Sequence, residues 1–116
     1  MDKSILPLLA LRMGNLSVIG ATITQTIDGT ERTVDCTAGL GDYPMTVRVK
    51  ARAAGCYLAQ GGAAVALDPT AADNFDLSAN EYVFVTIGSA DTAFFAVEQS
   101  SVDTGVLAVT RVDEVL

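Results

Sequence analysis

The side chains in this sequence that could do chemistry are fourteen carboxylates and two thiols, because the chain has no histidine. Histidine is the commonest general base and metal ligand, and a serine or cysteine nucleophile needs such a base beside it. No serine stands in a G-x-S-x-G elbow. The carboxylates are spread over turns and strand faces, and there is no tryptophan to form a sugar platform. The sequence therefore predicts a protein that is not an enzyme, with no catalytic residue and no cofactor.

One irregular stretch holds a candidate ion site made of Asp68, Asp73, Asn74 and Asp76. Calcium binds several carboxylate and carbonyl oxygens that converge from one loop. The spacing here matches no EF-hand, and Asp-Pro and Asp-Asn pairs are ordinary turn formers. Turn formation is the favoured interpretation, so we predict no metal site.

The two cysteines, Cys36 and Cys56, match no closely spaced metal or redox motif. Each lies in an apolar, strand-like segment, where a buried free cysteine behaves as a small hydrophobic residue. A structural role is the favoured interpretation for both. A disulfide or a reactive thiol is the alternative.

Composition limits the class of partner. The chain has 116 residues, which is the usual size of one domain. Its net charge is −7, so its surface repels phosphate backbones and we expect no nucleic-acid partner. No apolar run approaches the roughly 20 residues of a membrane-spanning helix, so we expect no membrane partner. Half of the residues are hydrophobic, and this surplus must enter a core or contacts with other chains.

The hydrophobic pattern has a period of two with regular turn signals, which is typical of β-strands. We predict an all-β, single-domain β-sandwich or jelly-roll-like barrel with about seven to nine short antiparallel strands. The dipeptide Asp28-Gly29 predicts a hairpin between the first two strands. The predicted strands cover residues 15–27, 31–38, 45–52, 56–60, 81–87, 92–99 and 106–112, with one more short strand allowed at 65–67.

Two of these strands carry candidate binding residues. Arg48, Lys50 and Arg52 alternate with apolar residues and therefore share one face of the third strand. This face pairs with acids on a neighbouring strand, docks an acidic partner, or binds nucleic acid, and pairing with acids is the favoured interpretation. The strand at 81–87 is apolar on both faces, with Tyr82 and Phe84 on one side, so it is covered on both sides or meets a partner.

The N-terminal residues 1–14 form an apolar arm that precedes the β-domain at 15–116. Two interpretations of the arm have equal support. It is a first strand or turn on the domain's own core, or it reaches a neighbouring subunit. The apolar residues of the arm that would make such contacts are Ile5, Leu6, Leu8, Leu9 and Leu11.

Four segments of the chain resemble small virion proteins of tailed bacteriophages. They are GCYLAQG at 55–61, NEYV at 80–83, FAVEQS at 95–100 and GVLAVTRV at 105–112, and the likeness covers roughly the last two-thirds of the chain. The resemblance implies a capsid decoration or cement protein. Such a protein is β-rich, forms a dimer or trimer, binds the major capsid protein on the outside of the shell, and stabilises it. The implied location is the capsid surface of the virion, after assembly in the host cytoplasm.

Under this hypothesis the arm, the basic strand face, Tyr82 and Phe84 make the interface with the shell or with other subunits. Two other classes remain open. A receptor- or glycan-binding module of a tail or fibre predicts an exposed aromatic pocket near Tyr43, Tyr57 or Phe75. A head–tail joining or tail-tube protein predicts ring-forming oligomers.

Overall fold

The computed structural model of this chain describes residues 16–68 and 75–114, and of residues 16–19, 113 and 114 it describes the backbone alone. These ranges contain eight strands and one turn of 3-10 helix at Ala90–Thr92. The strands are β1 (Leu16–Ile27), β2 (Arg32–Asp35), β3 (Met45–Arg52), β4 (Cys56–Gly61), β5 (Phe75–Leu77), β6 (Tyr82–Ile87), β7 (Phe94–Gln99) and β8 (Gly105–Glu114).

The strands form two four-stranded sheets. The first sheet has the order β1-β8-β3-β6, and the second sheet has the order β2-β7-β4-β5. Every neighbouring pair is antiparallel. The first strand lies beside the last, the second beside the seventh, the third beside the sixth and the fourth beside the fifth, which is the winding order of a double-sheet jelly roll. The predicted all-β sandwich is confirmed, as two open sheets and not a closed barrel.

The inner faces of the two sheets meet in one apolar core. In β3 the alternation predicted from the sequence is confirmed, because Met45, Val47, Val49 and Ala51 are buried and the residues between them are not. Successive side chains of a strand point to opposite faces, so this pattern places every second residue of β3 against the second sheet. The largest fully buried apolar side chains come from both sheets: Phe95, Ile27, Leu58, Ile87 and Leu107.

The predicted hairpin at Asp28-Gly29 is wrong. β1 pairs with β8 in the first sheet, whereas β2 pairs with β7 in the second, so the turn carries the chain from one sheet to the other. The carboxylate of Asp28 accepts hydrogen bonds from the N–H of Thr30 at 3.0 Å and from the guanidinium of Arg32 at 2.7 and 3.0 Å. The Asp28 carbonyl accepts the N–H of Gln99, which ties the turn to the second sheet. These bonds stabilise the connection between the two sheets. The same dipeptide, Asp28-Gly29, is also common in hairpin turns.

Two strand predictions need correction. The strand predicted at 31–38 is a strand only over Arg32–Asp35, and both Val34 and Cys36 are buried. Residues 65–67 form no strand, because Val65 donates its N–H to the Gly62 carbonyl within a turn. The short strand of this region is β5, which pairs with β4.

Candidate protein-binding face

Four of the predicted interface residues meet on the outer side of the first sheet. In the β3–β6 ladder Arg48 lies directly opposite Phe84, and Lys50 lies directly opposite Tyr82. Residues opposite each other in a ladder share a face, and the inward positions of β3 are its apolar residues. Arg52 continues the same row at the end of β3. We call this surface, made of Arg48, Lys50, Arg52, Tyr82 and Phe84, the cationic face.

The two aromatic rings organise the cationic face. Tyr82 and Phe84 pack edge to face, with ring centroids 5.5 Å apart and an interplanar angle of 76°. The guanidinium carbon of Arg48 lies 5.8 Å from the centroid of the Tyr82 ring, within the range of a cation–π interaction. Within the described ranges the Nε atom of Arg48 is buried without a hydrogen-bond acceptor. The contact that holds the Arg48 charge is therefore an aromatic ring.

The prediction that these cations pair with acids on a neighbouring strand is wrong. On the β6 side their partners are the two aromatic residues. On the β8 side, Arg48 lies opposite Thr110, Lys50 opposite Ala108 and Arg52 opposite Val106. The outward acids among the described strand residues, Asp35, Asp76 and Glu98, lie on the other sheet, because strand order and not sequence distance decides which side chains become neighbours.

Small residues border the cationic face on the β8 side. Ala108 and Thr110 point outward but are buried beneath their longer neighbours. The hydroxyl of Thr110 lies 2.8 Å from the hydroxyl of Thr22 on β1. A row of short side chains beside long cationic ones makes a shallow step, against which another protein surface can pack.

The outer side of the second sheet carries the opposite charge. Tyr57 of β4 lies directly opposite Asp76 of β5 and Glu98 of β7, and Asp35 lies on the same outer side at the end of β2. Hydrogen bonds from the hydroxyl and the N–H of Thr37 hold the pKa of the Asp35 carboxyl below its ordinary value, so it is charged at neutral pH. We call this surface, made of Asp35, Tyr57, Asp76 and Glu98, the acidic face.

Sequence reasoning missed the acidic face because its residues lie on four different strands. The available signal was their position within each strand, since each one alternates with buried apolar residues. That signal shows that these acids point outward. It does not show that β2, β7, β4 and β5 lie side by side.

The aromatic residues predicted near a glycan-binding pocket differ in how exposed they are. Tyr57 is 45% exposed on the acidic face. Tyr43 and Phe75 are partly buried and pack against the core. Of the three, Tyr57 is therefore the one that presents its ring to a partner.

Only part of the candidate ion site lies within the described residues. Asp73 and Asn74 lie outside the described residues, whereas Asp76 lies on β5 with its side chain on the acidic face. No group of three or more metal-ligand side chains occurs in the part of the chain that the structure describes.

Both cysteines are free and buried, in agreement with a structural role. Burial raises the pKa of the Cys36 thiol to about 12, and the charge of Asp35 contributes further. Burial likewise raises the pKa of the Cys56 thiol to about 11, with a smaller contribution from Asp76. A thiol with a raised pKa forms little thiolate at neutral pH and is a poor nucleophile.

The remaining predicted interface residues, Ile5, Leu6, Leu8, Leu9 and Leu11, lie outside the described residues with the rest of the arm at 1–14.

Comparisons with known proteins show no relative: no protein-family model matches the chain, and no curated protein or solved structure is significantly similar to it. Within residues 16–68 and 75–114 no helix is long and apolar enough to cross a bilayer.

Proposed function

We propose that this chain is a structural virion protein of a tailed bacteriophage, which binds the outside of the capsid and stabilises the shell as a decoration or cement protein. Its partners would be the major capsid protein and further copies of itself. It would reside on the capsid surface after assembly in the host cytoplasm.

The observation that carries the proposal is the cationic face. Arg and Tyr are enriched at the centres of protein interfaces, where a ring and a guanidinium supply large contact area. In a chain of net charge −7, three cations grouped on one sheet face orient the molecule toward an acidic partner surface. The acidic face on the other side repels the same partner, so the shell is expected to meet the first sheet.

The fold and the resemblance of the segments at 55–112 add support for a capsid as the partner. Jelly rolls occur in viral capsid proteins and also in lectins, so the fold alone does not choose between shell binding and glycan binding. A rigid sandwich suits a cement protein, because little order is lost when it binds.

The test is a sedimentation assay with empty expanded capsids assembled from the major capsid protein encoded in the same genome. We expect saturable binding and a higher melting temperature of the shell. The double variant Lys50→Gln with Arg52→Gln removes two cations from the cationic face. We expect it to weaken binding about tenfold or more, because interface charges steer and register the complex.

The matched control is Thr33→Glu with Ala64→Glu, which lowers the net charge by the same amount at exposed positions on β2 and in the loop after β4, outside the cationic face. It is expected to bind capsids like the unmodified protein. An equal loss of binding in both double variants would reduce the effect to net charge and remove the cationic face as the docking site. Absence of saturable binding by the unmodified protein would overturn the proposed function.

A glycan-binding module of a tail or fibre is the second candidate, because Tyr57 lies between two carboxylates on the acidic face. Sugars stack on exposed aromatic rings and donate hydroxyl hydrogen bonds to carboxylates. Saturable binding to host-surface glycans that Tyr57→Ala abolishes would favour this candidate. A ring of six or more subunits in solution would favour a head–tail or tail-tube component instead.

A further inference from the structure

The four edge strands of the sandwich differ in how they are protected against pairing with other strands. β1 carries a bulge between Val18 and Thr22. β2 has four residues and carries charge, and β5 has three residues with Asp76 at its centre. β6, at the other edge of the first sheet, has six residues (YVFVTI) without a charge, a proline or a bulge. Those are the devices by which natural edges avoid association, so β6 is an unprotected edge.

The backbone of β6 points unpaired groups away from the sheet. In an antiparallel ladder, opposite residues alternate between hydrogen-bonded and non-hydrogen-bonded pairs. The N–H of Ala51 donates to the Glu81 carbonyl, so Glu81, Val83 and Val85 bond toward β3. The N–H and C=O groups of Tyr82, Phe84 and Thr86 therefore face outward. The Thr86 carbonyl confirms this direction, since it accepts a hydrogen bond from the Gln60 side chain at 3.0 Å.

Among the described residues, no strand pairs with the outer edge of β6, and most of its side chains are at least partly exposed. Val83 and Val85 point toward the core, yet both remain partly exposed. Val49 and Val47, their direct partners on β3, are fully buried. The exposure of the two valines therefore arises at the open edge of the sandwich, where further apolar burial is still available.

We propose that β6 pairs with β6 of a second copy of this chain, around a two-fold axis at Val83, so that two first sheets join into one eight-stranded sheet. The interface is isologous, which is the commonest arrangement in homodimers. This inference deepens the self-association named in the proposed function. It does not depend on the capsid partner, because it uses the β6 edge with Tyr82 and Phe84 and not the cations of β3.

The register follows from the Gln60 contact. Because the Thr86 carbonyl is already bonded to Gln60, the outward groups left for a partner strand are mainly those of Tyr82 and Phe84. Placing Tyr82 opposite Phe84 of the second copy satisfies these groups with roughly four backbone hydrogen bonds. A register shifted by one residue would point the outward groups of one strand at groups already bonded to β3.

This register is also complementary in its side chains, which is why a second copy suits the edge. On the outer side, Tyr82 lies opposite Phe84 of the second copy, and two such pairs form one aromatic cluster. On the inner side, Val83 meets Val83 of the second copy, which covers this partly exposed valine. An unrelated extended peptide would match the backbone but not both the aromatic pairs and the valine pair.

Charge does not oppose this dimer. The cations of the cationic face lie on β3, three strand spacings from their counterparts across the two-fold axis. At about 4.8 Å per spacing the rows are roughly 14 Å apart, beyond the Debye length of about 8 Å at physiological salt. The dimer presents both cationic faces on one side of the joined sheet, because a two-fold axis perpendicular to an antiparallel sheet keeps outward residues outward.

The experiment is disulfide trapping of the full chain. In Val83→Cys the new thiols of two copies lie directly opposite each other at a non-hydrogen-bonded pair, so mild oxidation should yield a covalent dimer. The matched control is Val85→Cys, on the same strand and the same face. In the proposed register its thiols are four residues apart, roughly 13 Å, which no disulfide spans. The native thiols of Cys36 and Cys56 are buried and should not contribute.

A second measurement uses sedimentation equilibrium. The unmodified protein should be a dimer, and Phe84→Pro should raise its dissociation constant at least about tenfold, because proline removes an N–H that donates to the second copy and not to β3. Thr33→Pro is the matched control at the protected β2 edge. The carbonyl of Thr33 faces outward to the Gln25 side chain, so its N–H also points away from β7.

Three results would overturn the proposal. The first is an unmodified protein that remains monomeric at a concentration of about 1 mM. A dimer with a dissociation constant below this concentration would be mostly formed there. The second is equal cross-linking of Val83→Cys and Val85→Cys. The third is open-ended assembly into fibres, which would mean that the edge pairs as an aggregation-prone segment and not around a closed two-fold axis.

Discussion

The two sheets of this sandwich have similar apolar inner faces but carry opposite charges on their outer faces. Both contribute alternating apolar residues to one core. On the outside, the strands of the first sheet present three cations and, among described side chains, no acid. Those of the second sheet present Asp35, Asp76 and Glu98, and their one described cation, Arg32, is paired with Asp28. The fold itself does not need this separation of charge. Folding requires only that outward residues tolerate water, so the packing of the core does not explain this separation.

The largest expected change in the free energy of unfolding comes from comparing a fully buried and a partly buried phenylalanine on β7. Phe95 is fully buried in the core, whereas its neighbour Phe94 is only partly buried and packs at the margin of the core. We expect Phe95→Ala to lower the free energy of unfolding by about 3–5 kcal/mol through lost burial and a cavity. Phe94→Ala should cost less than half as much. Urea unfolding of both variants measures the difference, and equal losses would mean that the partial exposure of Phe94 does not reduce its contribution to the core.

A second prediction concerns pH, because both thiols lie on the inner side of the second sheet. Their raised pKa values mean that the folded protein keeps the thiols protonated while the unfolded chain releases protons above pH 9. Stability from each thiol is complete below pH 9 and should fall by roughly 1.4 kcal/mol per pH unit until its pKa in the folded protein.

The measurement is the urea midpoint of unfolding from pH 8 to 11, compared between the unmodified protein and the double variant Cys36→Ala with Cys56→Ala. The double variant lacks both titrating thiols and should show a flatter decline. Parallel curves would show that the two thiols are not protected inside the second sheet.

The smallest expected change in the free energy of unfolding comes from comparing one tyrosine on each of the two outer faces. Tyr82 and Tyr57 are both 45% exposed, one on the cationic face and one on the acidic face. We expect each change to alanine to lower the free energy of unfolding by no more than about 1 kcal/mol, with the slightly larger loss at Tyr82 because of its contacts with Phe84 and Arg48. A loss above about 2 kcal/mol at Tyr82, measured by urea unfolding, would make the cationic face a structural element and weaken its assignment to binding.

Much of the local structure was predictable. The strand predicted at 45–52 is β3, with the predicted inward and outward residues. Strand position follows from alternation and turn residues, which act over a few neighbours. The prediction of a hairpin at Asp28-Gly29 was wrong for a related reason. The dipeptide favours a tight turn, but pairing of the strands that follow depends on distant partners.

The sequence by itself determined that the chain is all-β, which residues point inward on most strands, and that no histidine-based chemistry is possible. Only the tertiary structure decided which strands are neighbours. It placed Tyr82 and Phe84 beside Arg48 and Lys50, and it placed β6 at the edge of the first sheet. The outward acids of the second sheet lie on the opposite side of the sandwich. The physical reason is that alternation records burial along one strand, whereas pairing between strands far apart in sequence depends on how all eight together close one core.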